Sequence, residues 1–141
     1  MKRDYGVFHV GLKILLEKDG KFLFLRADNK INWDWPGGRI DNVETMADLE
    51  SVIKREIGEE LGKEVKYKLG KPIFQFIRYF RSRDIYIFIT LYEAKYISGE
   101  IKLSHEHFSY EWLDPKKDKL NKKDFFNLEE YFRFRSYFKG L

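Results

Sequence analysis

From Gly37 to Gly62 the chain reads GGRIDNVETMADLESVIKREIGEELG, a glycine pair followed by apolar residues at Leu49, Val52, Ile53, Ile57 and Leu61. Steps of three and four residues predict an α-helix with one core-facing stripe, closed by Gly62 just past its last turn. The acids lie off that stripe. Glu56 and Glu60 are four apart and share a helix face, Glu59 sits beside them, and Arg55 is four residues before Glu59, in position to pair with it. Three carboxylates near the C-terminal end of a helix repel one another, and the helix macrodipole adds to the cost. A feature this unfavourable asks for a reason other than stability.

One reading is a solvated acidic face. The other is a site for a hard divalent cation: Mg²⁺ prefers oxygen ligands, commonly one or two carboxylates with substrate phosphates and water, and these three acids supply such oxygens. Bound metal would also relieve the repulsion.

The stretch resembles the box of the Nudix hydrolases, Gly-x5-Glu-x7-Arg-Glu-apolar-x-Glu-Glu-x-Gly-apolar: its second half matches Arg55-Glu56-Ile57-Gly58-Glu59-Glu60-Leu61-Gly62, and its first half matches Gly38 and Glu44. The resemblance implies an α+β fold, an α/β/α sandwich around a mixed β-sheet with a catalytic loop-helix-loop, and a reaction in which Mg²⁺ or Mn²⁺ assists cleavage of a pyrophosphate bond. It implies Glu56, Glu59 and Glu60, with Gly38, at the metal, and Arg55, Glu56, Glu59 and Glu106 as the catalytic set. Two positions depart from the pattern. Ten residues, 45 to 54, separate Glu44 from Arg55 where the family has seven, so Glu44 fills its place only if the extra residues bulge between loop and helix; and Lys63 stands where the family has an apolar residue.

Ahead of the box, Val7 to Leu16 and Lys21 to Arg26 read as antiparallel strands joined by an Asp19-Gly20 hairpin. Trp33-Asp34-Trp35-Pro36 leads into the glycines; Pro36 keeps Trp35 extended, and one of the two tryptophans packs while the other is available to stack on a base. After the box, Val65 to Leu69, Ile73 to Phe80 and Asp84 to Tyr96 read as three strands, with a turn at Arg81 to Asp84. Leu103-Ser104-His105-Glu106-His107 followed by Tyr110 and Trp112 resembles the diadenosine tetraphosphate hydrolase branch of the family, which is where Glu106 enters as ligand or base and His105 or His107 as a phosphate contact. That branch has Pro-Lys-Gly where this chain has Pro36-Gly37-Gly38. Asp124 is the expected cap of a last helix, Phe125 to Lys139, whose aromatics exceed one stripe and offer a surface for a dimer partner.

Candidates for substrate contact are Arg26, Trp35, Arg39, Arg78, His105 and His107. A single domain over residues 1–141 is expected from the length. There is no cysteine, which excludes disulfides, thiolate metal sites and a cysteine nucleophile together. No apolar run is long enough to cross a bilayer, and the basic start lacks a cleavage site, so a cytoplasmic monomer or homodimer is expected. The net charge of +4 suits an anionic ligand. The substrate expected is a nucleoside diphosphate linked to another group, such as a dinucleoside polyphosphate, a nucleotide sugar or a nucleoside triphosphate. The alternatives are a triphosphorylated RNA 5′ end and a Nudix module that binds without catalysis.

Overall fold

The computed structural model describes all 141 residues. Strands β1 (Phe8–Lys18) and β2 (Lys21–Ala27) form the expected hairpin, with Asp19 and Gly20 both at positive φ, 53° and 80°, as a two-residue turn matched to strand twist requires. Two short strands, β3 (Trp33–Asp34) and β4 (Gly37–Arg39), carry the chain to helix α1 (Leu49–Leu61), and then come β5 (Lys66–Phe80), β6 (Ile85–Ser98), β7 (His107–Leu113) and helix α2 (Leu128–Lys139). The sheet runs β3-β2-β1-β6-β5, with β4 on β1 and β7 on β2. It is mixed: β1 and β6 are parallel from Phe8 opposite Tyr86 to Glu17 opposite Lys95, while every other pairing is antiparallel.

Alternation along the central strands divides the core in two. Leu12, Ile14 and Leu16 of β1 and Leu23 and Leu25 of β2 pack with Val52, Ile53, Ile57 and Leu61 of α1. Leu15, Phe22 and Phe24 point the other way, into a cluster with Trp33, Trp35, Phe76, Phe134 and Phe138 beneath α2. The result is the α/β/α sandwich expected from the sequence. Most of the surplus aromatics are explained by this second core; Trp35 lies 4.0 Å from Phe134, nearly parallel to it. Others stay on the surface, among them Phe8, Tyr86, Phe126 and Phe132.

Two boundaries differ from those read in the sequence. The strands expected at Val65 to Leu69 and Ile73 to Phe80 are one strand, β5, whose register shifts on both sides of Pro72. Proline has no N–H to give to the ladder, and β5, at the sheet edge, tolerates the gap. The last helix begins at Leu128, not Phe125. Asn127 caps it by accepting from the Glu130 N–H at 3.0 Å, while Asp124 ends a separate 3₁₀ turn, Lys122–Asp124.

Candidate active site

The glycines that open the box are required by their surroundings. Gly37 has φ 144°, and a Cβ there would strike the Leu12 carbonyl and the Lys13 backbone; a Cβ on Gly38 would occupy the Glu56 carboxylate. β4 pairs with β1, Gly38 opposite Leu12, so the sheet itself brings the Gly38 backbone against α1. Past β4, Asp41 caps a 3₁₀ turn, Asn42–Glu44, and Glu44 Oε1 accepts in return from the Asp41 N–H at 3.0 Å. That turn presents Glu44 to Arg55, which donates through Nε and Nη2 to its two oxygens, each at 2.6 Å. The added residues form the exposed loop between Glu44 and the α1 cap Asp48. The insertion therefore bulges out, and Glu44 faces Arg55 across it.

Arg55 gathers the acids. Its Nη1 lies 2.8 Å from Glu56 Oε1 and 3.2 Å from Glu59 Oε2, and Nη2 faces the Arg39 carbonyl at 3.5 Å. The bond to Glu44 is the main reason its guanidinium is held charged beyond the usual range, despite partial burial; the same bond lowers the Glu44 carboxyl. Glu56 moves the other way. Burial raises its pKa against the pull of Arg55, and the neighbouring charges of Glu59 and Glu60 raise it further.

Glu60 is the most enclosed of the three, with a relative exposure of 4%. Its Oε1 accepts from the Gly37 N–H at 3.0 Å, and its Oε2 forms an ion pair with His107 Nδ1 at 2.9 Å. The other ring nitrogen, Nε2, lies 3.0 Å from Asp34 Oδ2. With an acceptor-only group at each nitrogen the ring is an imidazolium; burial opposes the charge, but Asp34 and Glu60 outweigh it and raise the pKa to about 9. Asp34 in turn meets Lys13 Nζ at 3.2 Å and Arg78 Nη1 at 2.9 Å. Burial alone would raise the Asp34 carboxyl, yet these cations and His107 keep it well below the usual range. Arg78 completes the chain with two bonds of 2.9 Å to Glu130 on α2, whose carboxyl burial pushes up. Three carboxylates and three cations thus run in a line from the box through the sheet to the second helix.

The structure corrects four expectations drawn from the sequence. Arg78 does not face a ligand, because Asp34 and Glu130 occupy its guanidinium inside the fold. Trp35 has no exposed surface on which a base could stack. His107 is buried between two carboxylates and leaves no nitrogen for a phosphate. Arg26 also lies outside the cleft: it stacks on Trp33 with 3.4 Å to the ring centre, donates to the Ile31 carbonyl at 2.6 Å and pairs with Asp124 at 3.5 Å.

Apart from Arg55, which holds the acids from outside it, the other candidates surround one cleft of about 1050 Å³, where Gly37, Gly38, Arg39, Glu56, Glu59, Glu60, His105 and Glu106 are joined by Phe8, His9 and Arg83. Arg39 Nη1 lies 3.2 Å from His9 Nδ1. A separate, more apolar cavity of about 700 Å³ near the Asp19-Gly20 hairpin holds none of these residues. Sequence reasoning missed Asp34, Lys13 and Glu130. Lys13, a lone charge in an apolar strand, is the one visible signal of the buried line.

Three hard oxygen donors facing one cleft, with Gly38 lacking the side chain that would displace Glu56, fit a divalent cation in kind. As they lie, no three acidic or histidine side chains converge on a ligand position, since Arg55 holds Glu56 and Glu59 and the Gly37 amide and His107 hold Glu60.

A family profile described as NUDIX domain matches residues 8–133. Among solved structures, a NUDIX hydrolase from Nitrosomonas europaea superposes with TM-score 0.72 at 14% identity, covering 95% of this chain and 90% of that one. A MutT protein from Methanosarcina mazei Go1 gives 0.67 at 24% identity, covering 94% and 93%. A UDP-X diphosphatase gives 0.67 at 15% identity, covering 98% of this chain, which spans 66% of that protein's length. At these identities the likeness is one of fold. No curated protein matches the sequence.

Proposed function

The chain belongs to the Nudix family of hydrolases, which act on pyrophosphate bonds, and from that premise we propose that its substrate is a nucleoside diphosphate linked to a further group. The observation that carries the reading is the intact Arg-Glu-x-x-Glu-Glu helix turned into a cleft, with Glu44 bonded to Arg55 across the longer loop. A structural neighbour is called a UDP-X diphosphatase, which is consistent with a substrate of this class.

In this mechanism Glu56, Glu59 and Glu60, with Gly38, would hold Mg²⁺ or Mn²⁺, which would supply charge to offset the phosphates and to make the attacking water more acidic. Arg55 sets the spacing of Glu56 and Glu59 and gives up part of its hold when they turn to a ligand. Arg39, Arg83 and His105 at the cleft wall face the phosphates. Water attacks phosphorus, the P–O–P bridge breaks, and the water's proton passes to a carboxylate. Glu106, on the loop across from α1, is the proposed acceptor, with Glu56 as the alternative. The products are a nucleoside phosphate and a second phosphorylated fragment.

The test is phosphate-ester product analysis with Mg²⁺, Mn²⁺ or a chelator across nucleoside triphosphates, nucleotide sugars, ADP-ribose, dinucleoside polyphosphates and triphosphorylated RNA. Turnover of one nucleoside diphosphate derivative, lost with chelator, is the expected result. Cleavage confined to RNA ends, or none on any substrate, would overturn the assignment.

A further inference from the structure

We infer that His107 is a positioning residue for the metal-binding acids: its Nδ1 fixes Glu60, Glu60 fixes the Gly37 amide, and Asp34 anchors the ring from behind. The inference rests on the functional reading above and goes beyond it, because His107 touches no substrate and belongs to no part of the box.

Three observations carry it. First, Glu60 Oε1 is hydrogen-bonded by the Gly37 N–H at 3.0 Å, while its buried Oε2 lies 2.9 Å from His107 Nδ1 in an ion pair outside hydrogen-bond alignment and has no other polar partner, so His107 is the one group that fixes that oxygen. Second, the Gly37 amide is the link to the loop: Gly38 follows it and backs the Glu56 carboxylate, so a shift of Glu60 moves the floor under Glu56. Third, the ring cannot turn away, because Asp34 Oδ2 holds Nε2 at 3.0 Å and Asp34 is itself pinned by Lys13 and Arg78. Side chains that orient a ligating carboxylate or histidine from outside the metal's own shell typically change metal affinity or activity by about 10–100-fold when removed. His107 stands in that relation to Glu60.

The two nitrogens allow a test that separates positioning from packing. In His107→Asn the amide nitrogen falls near the place of Nδ1 and keeps a donor for Glu60; in His107→Gln it falls near Nε2 and keeps a donor for Asp34 alone. Mn²⁺ binding to wild type and both variants is measured by electron paramagnetic resonance, with kcat and KM on the best substrate and thermal midpoints alongside. The expected result is Mn²⁺ affinity and kcat reduced roughly 10–100-fold in His107→Gln, with KM little changed, and substantially recovered in His107→Asn. Equal losses in both variants, tracking their thermal midpoints, would mean a packing role and overturn the inference, as would both variants binding Mn²⁺ within twofold of wild type. If only His107→Gln folds, Mn²⁺ affinity within twofold of wild type overturns the inference and a loss of roughly 10–100-fold supports it; if only His107→Asn folds, a loss of that size overturns it and recovered binding supports it. If neither folds, His107 is a folding residue and the inference fails. Wild type that neither binds Mn²⁺ nor cleaves any substrate would overturn the functional reading first and this inference with it, whereas active wild type with unaffected variants overturns this inference alone.

Discussion

Glu56, Glu59 and Glu60 have the same chemistry and three different surroundings: Glu59 is exposed, Glu56 is half-buried beside Arg55, and Glu60 is enclosed between Gly37 and His107. Their spacing is legible in the sequence because helix geometry alone determines which residues share a face. The partner of Glu60 is not, because His107 lies 47 positions on, brought in only when β7 pairs with β2. The pairing has a measurable signature. The His107 pKa is raised from 6.5 to about 9, so the charged ring contributes stability fully below the unfolded value and loses that contribution as pH rises through the folded one. Between about pH 7 and about pH 10 the thermal midpoint of wild type is expected to fall more than that of His107→Gln. Parallel curves for the two proteins would contradict the imidazolium.

At the scale of elements, α1 is legible almost to the residue, since an apolar period from Leu49 and Gly62 agree on one helix, which Asp48 caps in the structure. The bulge at Glu44 can be posed from the sequence as a condition but not decided, because whether the three extra residues loop out depends on Arg55 waiting on the far side. The start of α2 lies three residues later than its sequence suggests. Both Asp124 and Asn127 are good capping types, and the choice falls to Asn127 because Phe125 must turn into the aromatic core before the helix begins. Asn127 also ties α2 to β5, its amide donating to the Ile77 carbonyl at 3.1 Å. Replacing it by alanine is expected to cost about 1–2 kcal/mol in chemical denaturation, while Asp124→Ala, which loses only a long, partly exposed pairing with Arg26 at 3.5 Å, costs less. The reverse order would show that the cap was misassigned.

For the whole molecule, the buried line from Glu60 to Glu130 joins the two layers that the sheet separates. Both layers can be read from the period of their apolar faces, but the place of Arg78 cannot, since a turn-proximal arginine looks the same in one dimension whether it faces solvent or a carboxylate on another helix. The two are distinguishable by stability. Arg78→Met leaves Asp34 and Glu130 without their shared cation and is expected to destabilise by about 3–5 kcal/mol, whereas an exposed arginine in the cleft wall, Arg83, is expected to cost under about 1 kcal/mol when replaced in the same way. No helix is long and apolar enough to cross a membrane. What the molecule does present is one cleft in which the box, the β4 backbone and the loop before β7 meet.

The most direct measurement is kcat of Glu56→Gln beside wild type, on whichever nucleoside diphosphate derivative the wild type cleaves. The substitution keeps size and hydrogen bonding while removing the charge that a cation needs and the oxygen that can take a proton. A loss of roughly a hundredfold or more, with the thermal midpoint preserved, is expected if the cleft is the catalytic centre. Activity within a fewfold of wild type, with the fold intact, would contradict it and send the search for the active site elsewhere on the molecule.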